Sequence, residues 1–185
     1  MDKKRIGAVL LAAGNSTRFG SNKLLCNIQG KPMVQYAMEK ILKAPFEERV
    51  IVTQYKEVEK LAEAMGIPQV RNENPEKGIS HSIRLGLQAE AQMDGWMFLV
   101  CDQPWISTDT IKRLLEKYRE GEKGIGAVRW KDKIGNPVIF SKKYRKELEQ
   151  LAGDRGGKKI LLSHIEDVLF VETDEKELED LDIPI

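Results

Sequence analysis

A short apolar run near the N-terminus constrains the fold of this chain more than any other segment. Residues 6–13 read IGAVLLAA, and the run stops at Gly14. The charged residues 1–5 precede it, but the run is only eight residues long and leads directly into a loop at Gly14, so we interpret it as a strand and not as a signal peptide. No other apolar run approaches the length that would span a bilayer. We therefore interpret residues 6–12 as a buried strand that leads into a loop.

Strand-like and helix-like segments alternate along most of the chain. The strands are predicted at residues 6–12, 49–53, 69–71, 96–101, 125–129, 138–140 and 168–172, and the helices at 33–42, 58–65, 79–91 and 108–118. This alternation predicts βαβ units, and hence a mostly parallel sheet covered by helices on both faces. Gly135, Asn136 and Pro137 lie between two short strand candidates and predict an antiparallel turn there.

Composition limits the partners and the compartment that we expect. Thirty Lys and Arg nearly balance 29 Asp and Glu, so no overall field recruits nucleic acid or an anionic membrane. Only two cysteines occur, Cys26 and Cys101, which are too few for a disulfide framework. We expect a cytoplasmic protein that binds neither nucleic acid nor membrane. Without a visible linker or repeat, residues 1–185 are predicted to form one α/β domain, Rossmann-like and three-layered.

The loop after the first strand has the composition of a polyphosphate site. Residues 10–25 read LLAAGNSTRFGSNKLL. Gly14 and Gly20 let backbone N–H groups converge on an anion, Arg18 can donate two hydrogen bonds to it, and Lys23 adds a point charge. The glycines are six residues apart, which excludes the P-loop pattern. The alternative is an ordinary polar loop at the carboxyl edge of the sheet, where ligands of open α/β proteins collect.

Two further segments carry candidate chemistry. In VCDQPW, Asp102 follows an apolar strand and would meet the first loop at one sheet edge, where it could bind a hard cation. The alternative is an Asp that only accepts hydrogen bonds within a turn. In NPEKGISHS, a helix begins near Gly78 and Ser82 and could bind part of a nucleotide, although ordinary capping explains the hydroxyls equally well.

Taken together, five stretches resemble the molybdenum cofactor nucleotidyltransferase family, and most of all its cytidylyltransferase branch. They are LLAAGNSTRFGSNKLL, NPEKGISHSIRLGL, CDQPWI, GNPVIF and GDRGGKKIL, and they cover nearly the whole chain. The resemblance implies the nucleotide-diphospho-sugar transferase type of fold. In that family the pattern LAAGxSxRxGxxK binds the triphosphate, and here it is matched by Leu11, Ala12, Ala13, Gly14, Ser16, Arg18, Gly20 and Lys23.

The resemblance also implies a metal site and a preferred base. Asp102 matches the family's magnesium-binding aspartate, and Asp180 and Asp182 match two aspartates near its C-terminus, one of which would complete the metal site. The guanylyl branch usually reads LAGG, so Ala13 favours CTP, whose base edge Ser82 and the N–H groups near Gly78 would bind. Two features depart from the family pattern: His81 replaces a small residue, and the sequence ends in DLDIPI where the family reads DIDTPED.

The resulting interpretation is an Mg²⁺-dependent cytidylyltransferase. Arg18, Lys23 and Asp102 would act in transferring CMP from CTP to the terminal phosphate of molybdopterin cofactor, with release of pyrophosphate. The resemblance places this step in the maturation of molybdenum hydroxylases, with transient contact to such an enzyme. Two alternatives stay open: a guanylyltransferase or other sugar or alcohol phosphate nucleotidyltransferase, and a non-catalytic accessory protein that carries the cofactor.

Overall fold

A central sheet and flanking helices account for most of the chain. The computed structural model describes residues 3–15 and 22–182. Within them the strands are β1 (Ile6–Ala12), β2 (Asn27–Ile28), β3 (Lys31–Pro32), β4 (Glu48–Thr53), β5 (Gln69–Arg71), β6 (Gly95–Val100), β7 (Ile125–Trp130), β8 (Lys133–Ser141) and β9 (Val168–Glu172). The α-helices are α1 (Met33–Lys43), α2 (Lys56–Ala64), α3 (Ile79–Ala89), α4 (Thr108–Glu120), α5 (Arg145–Glu149) and α6 (Lys158–Ser163).

Seven strands form the main sheet, in the order β5-β4-β1-β6-β8-β7-β9. Neighbouring strands are parallel except at β8, which runs antiparallel to both β6 and β7. Strands β2 and β3 form a separate antiparallel pair. The mostly parallel α/β sheet that the alternation predicts is therefore confirmed.

The alternation of side chains along β1 explains the two layers of helices. Ile6, Ala8 and Leu10 are buried in the cluster that contains the apolar faces of α1, α2 and α4. Val9 points to the other face and packs in the cluster with α3, α5 and α6. Helix α3 approaches β1 closely because Gly86 has no side chain: a Cβ there would lie 2.5 Å from Val9 Cγ1. This close contact positions the start of α3 beside the end of β1.

The helices α1 to α4 lie where their apolar spacing predicts them, with ends that differ by at most two residues. Helix α4 is capped by Ser107, whose Oγ accepts a hydrogen bond from Thr110 N at 3.0 Å. The segment GDRGGKK leads into α6. Within residues 3–15 and 22–182, no helix is long and apolar enough to cross a membrane.

The predicted turn at residues 135–137 is wrong, although the antiparallel pairing is confirmed. The strands β7 and β8 are joined instead by Lys131 and the residue after it, and Lys131 adopts a φ of 52°. The register shifts from Ala127–Val138 to Val128–Gly135, so residues 136–137 form a bulge inside β8. Proline is tolerated at a bulge because no ladder hydrogen bond is required there.

A buried carboxyl group lies against the central sheet. The side chain of Glu90 follows α3 and covers Gly7, where a Cβ would lie 1.9 Å from Glu90 Oε2. Among the described residues, neither carboxyl oxygen has a hydrogen-bond partner. Burial, reinforced by the charge of Glu48, raises the pKa of Glu90 to about 9. The folded protein therefore keeps a proton that the unfolded chain loses near the ordinary pKa of glutamate.

Glu90 should make the protein less stable as the pH rises from about 5 to about 8, because the folded state binds the extra proton over that range. Glu90→Gln keeps the shape and cannot ionise. We expect the variant's free energy of unfolding, relative to the native protein, to rise by up to about 1.4 kcal/mol per pH unit. Urea unfolding at several pH values measures this difference. The exposed Glu63→Gln is the matched control, and a difference that does not change with pH would contradict the expectation.

Candidate functional site

A cleft of about 560 Å³ opens at the carboxyl ends of β1 and β6. Strand β1 pairs with β6 in a register that aligns Leu11 with Val100. The residues that follow these strands therefore leave the sheet side by side, and Gly14 and Asp102 both line the cleft. The sequence places both segments at one sheet edge, and the structure agrees. Ser16, Arg18 and Gly20 lie outside the described residues.

The first part of the glycine loop is fixed by side chains at the end of β4 and directly after it. Thr53 Oγ1 donates to the carbonyl of Ala12 at 2.9 Å, and Gln54 Nε2 donates to that of Ala13 at 2.9 Å. Tyr55 OH donates to the carbonyl of Gly14 at 2.5 Å. Three successive carbonyl oxygens are thus bound by groups from β4, which reduces the negative charge that an anion in the cleft would meet. Sequence reasoning missed these residues, although a run of polar side chains directly after a buried strand is a usable signal.

Lys23 joins two carboxylates at the mouth of the cleft. Its Nζ donates to Asp102 Oδ2 at 3.3 Å and to Asp182 Oδ1 at 2.9 Å. The Lys23 side chain is 15% exposed, whereas those of Asp102 and Asp182 are 32% and 61% exposed. Burial alone would lower the pKa of Lys23, but the hydrogen bond to Asp182 and the charge of Asp102 raise it overall. Lys23 is therefore a stable cation at neutral pH.

The sequence predicts the same role for Asp180 and Asp182, but their side chains lie in different cavities. Asp182 lines the cleft, whereas Asp180 Oδ1 accepts a hydrogen bond from Gln103 Nε2 at 2.7 Å and lines a second cavity. Between the two aspartates, Leu181 N donates to the carbonyl of Asp102 at 2.8 Å. The C-terminal segment is thereby tied to the loop that carries Asp102.

The start of α3 forms the opposite wall of the cleft. Gly78 has a φ of +82°, and a Cβ there would lie 2.3 Å from the carbonyl carbon of Gly153. Ser80 N donates to that same carbonyl at 3.2 Å, so the segments 74–82 and 153–159 pack together. Ser82 Oγ accepts a hydrogen bond from the buried Asn72 side chain at 2.9 Å, which leaves the Ser82 hydroxyl hydrogen able to donate into the cleft. The support from Asn72 depends on tertiary contacts and was not predicted.

A second cavity of about 310 Å³ adjoins the cleft and shares Leu11, Ile79 and Val100 with it. Its walls are mainly apolar side chains from the sheet and from α3, α5 and α6. Its polar lining consists of Gln103, Lys133, Asn136, Lys158 and Asp180. The two cavities together offer adjacent places for two reactants.

The two carboxylates beside Lys23 could hold a divalent cation whose coordination is completed by phosphate oxygens. Mg²⁺ is usually held by one or two carboxylates together with phosphate oxygens and water. Asp102 and Asp182 supply two carboxylates that already lie on either side of one cation, the Lys23 ammonium. In the described part of the chain, no group of three or more His, Cys, Asp or Glu forms a metal cage. Cys101 is buried, and burial raises the pKa of its thiol, so it is a packing residue.

Two curated relatives carry different names. A probable molybdenum cofactor guanylyltransferase of Thermococcus kodakarensis is 32% identical over 151 residues, which are 78% of this chain and 70% of that protein. The bifunctional protein GlmU of Solibacter usitatus is 32% identical over 118 residues, which are 61% of this chain. The match spans only 25% of the length of that GlmU protein.

Solved structures agree with the fold. Rv0371c of Mycobacterium tuberculosis superposes with a TM-score of 0.82 at 24% identity, over 98% of this chain and 94% of that one. A structure of the same protein in complex with manganese gives a TM-score of 0.76 at 25% identity, over 92% and 89% of the two chains. The fold is the nucleotide-diphospho-sugar transferase type.

Residues 8–168 match the family described as MobA-like NTP transferase domain. The match includes most of β1, the glycine loop and Asp102, which line the cleft, and it ends at the start of β9, before Asp182. The chain belongs to the MobA-like NTP transferase domain family.

Proposed function

We propose that this protein transfers a nucleoside monophosphate from a nucleoside triphosphate in the cleft to an anionic acceptor in the adjoining cavity. The observation that carries the proposal is the Lys23–Asp102–Asp182 cluster, which lines the same cleft as the glycine loop, next to a second cavity that adjoins the cleft. A charge cluster of this kind suits phosphoryl chemistry because it can both hold a triphosphate and stabilise the leaving group.

The reaction needs no covalent enzyme intermediate. An oxygen of the acceptor phosphate attacks the α-phosphorus, the bond between the α-phosphorus and its bridging oxygen breaks, and pyrophosphate leaves with the electron pair. Lys23, together with Arg18 and the N–H groups of the Gly14 loop, stabilises the charge on the pyrophosphate. Asp102 and Asp182 would hold Mg²⁺, which when bound neutralises phosphate charge. The protein mainly aligns the two reactants.

The acceptor that we propose is the terminal phosphate of molybdopterin cofactor. The apolar walls of the second cavity, among them Ile83, Phe98 and Val138, suit a flat ring system, and Lys133 and Lys158 suit an anionic substituent. The relative from Thermococcus kodakarensis is named for a molybdenum cofactor reaction, which supports the same acceptor class. The product would then serve a molybdenum hydroxylase, through transient contact with that enzyme.

The nucleotide that we propose is CTP. Ala13 lines the cleft where the guanylyl pattern has glycine, and its methyl group narrows the space beside the loop. The Ser82 hydroxyl can donate a hydrogen bond to the base, which suits the acceptor atoms on the edge of cytosine. GTP is the alternative, because several relatives are named as guanylyltransferases.

Incubation of the protein with molybdopterin cofactor, Mg²⁺ and equal concentrations of CTP and GTP tests both parts of the proposal. We expect pyrophosphate release that depends on the acceptor, with mainly cytidylylated product. Ala13→Gly should move the product ratio toward GTP by about tenfold or more, since one methyl group in a pocket is worth about 1–3 kcal/mol.

Two results of that assay would count against the proposal. Mainly guanylylated product would show that the base assignment is wrong, while leaving the reaction type intact. No acceptor-dependent pyrophosphate with any of the four common nucleoside triphosphates would overturn the nucleotidyl transfer to molybdopterin itself.

The different positions of Asp180 and Asp182 predict different phenotypes. Asp182→Asn should raise the Mg²⁺ concentration needed for half-maximal turnover by about tenfold or more, because the amide keeps the shape but removes a hard-cation ligand. Asp180→Asn makes the same change two residues away. It should leave the Mg²⁺ requirement unaltered and act on the KM for the acceptor. Titration of Mg²⁺ at saturating nucleotide measures the first quantity, and a larger Mg²⁺ effect in Asp180→Asn would reverse the assignment.

A further inference from the structure

The Lys23 ammonium lies between the two carboxylates that the proposed function assigns to a divalent cation. Its Nζ is 3.3 Å from Asp102 Oδ2 and 2.9 Å from Asp182 Oδ1. We propose that Lys23 takes the place of the divalent cation in the free protein, and that the cation binds there only once a triphosphate accepts Lys23. This inference rests on the metal site of the proposed function.

The competition follows from the geometry of the carboxylate oxygens. Mg²⁺ requires its oxygen ligands at about 2.0–2.1 Å in octahedral geometry, whereas Lys23 Nζ now forms a hydrogen bond of 2.9 Å to one of those oxygens. Two cations that share the same pair of carboxylates repel each other. Binding of the metal therefore requires the ammonium to move away.

An anion in the cleft offers Lys23 an alternative partner. Its side chain is a flexible four-carbon stem with a point charge, so the same residue can reach either the carboxylates or a phosphate in the cleft that it lines. Without a triphosphate, moving the ammonium away breaks its ion pairs with Asp102 and Asp182, and only water replaces them. With a triphosphate, the phosphate oxygens receive Lys23, and its ion pairs no longer compete with the cation for the two carboxylates.

The consequence is positive coupling between nucleotide and metal. Coupling between two ligand sites typically changes each affinity by about 5- to 150-fold, and it is reciprocal. The free protein would hold little divalent metal, and metal and triphosphate would assemble together. Lys23 is then both a charge stabiliser for the reaction and a residue that sets the order of assembly.

Binding of Mn²⁺ to the free protein, followed by the electron paramagnetic resonance signal of unbound Mn²⁺, tests the inference without catalysis. Lys23→Met should bind Mn²⁺ more tightly than the native protein, by about fivefold or more. Lys77→Met is the charge control, because Lys77 is exposed beside Gly78 at the edge of the same cleft. Lys77→Met should raise the Mn²⁺ affinity less than Lys23→Met does, because it removes the same charge but keeps the ion pairs of Lys23 with the two carboxylates. Lys23→Gln, checked by thermal unfolding, replaces Lys23→Met if the latter does not fold.

Asp102→Asn in the Lys23→Met background separates failure of the inference from failure of the metal assignment. We expect this second change to abolish the gained Mn²⁺ affinity. If it has no effect, the cation binds elsewhere and the metal site of the proposed function is wrong. The other outcome is that Asp102→Asn weakens Mn²⁺ binding while Lys23→Met binds Mn²⁺ no more tightly than the native protein or Lys77→Met does. In that case the metal site stands and the competition by Lys23 is refuted.

Discussion

The parallel pairing of β1 with β6 is the constraint on which the candidate site depends. Because Leu11 is aligned with Val100, the two chains leave the sheet at the same level, and Gly14 and Asp102 face one cleft. This pairing is stable because β1 is buried on both faces, with α1, α2 and α4 on one side and α3 on the other. The register of two buried strands thus sets the distance between the glycine loop and the Asp102 carboxylate.

The C-terminal segment adds the second half of the site and connects the two cavities. Leu178 is buried against Gly135, where a Cβ would lie 2.6 Å from Leu178 Cδ2. From this anchor the chain passes Asp180, which lines the second cavity, and reaches Lys23 at Asp182. An acceptor that touches Asp180 and a nucleotide that touches Lys23 would therefore bind against the same short segment. The geometry gives a physical route by which one substrate can affect the binding of the other.

Local pattern was enough to predict much of this architecture, but contacts between distant segments were not predictable in the same way. The strand at Ile6–Ala12 and the helix at Met33–Lys43 follow from apolar spacing, and Asp102 follows from its place after a buried strand. The glycine at position 135 was assigned to a turn because glycine usually marks one, whereas here it admits Leu178. The different destinations of Asp180 and Asp182 depend on Gln103 and Lys23, which are far away in sequence.

In the proposed reaction, the α-phosphoryl group moves with its nucleoside from the cleft to the acceptor in the adjoining cavity. Parallel reactions with CTP labelled with phosphorus-32 at either the α or the γ position, in the presence of molybdopterin cofactor and Mg²⁺, test it most directly. We expect the α label on the acceptor and the γ label in pyrophosphate. Transfer of the γ label to the acceptor, or loss of label only as free nucleotide and phosphate, would contradict it.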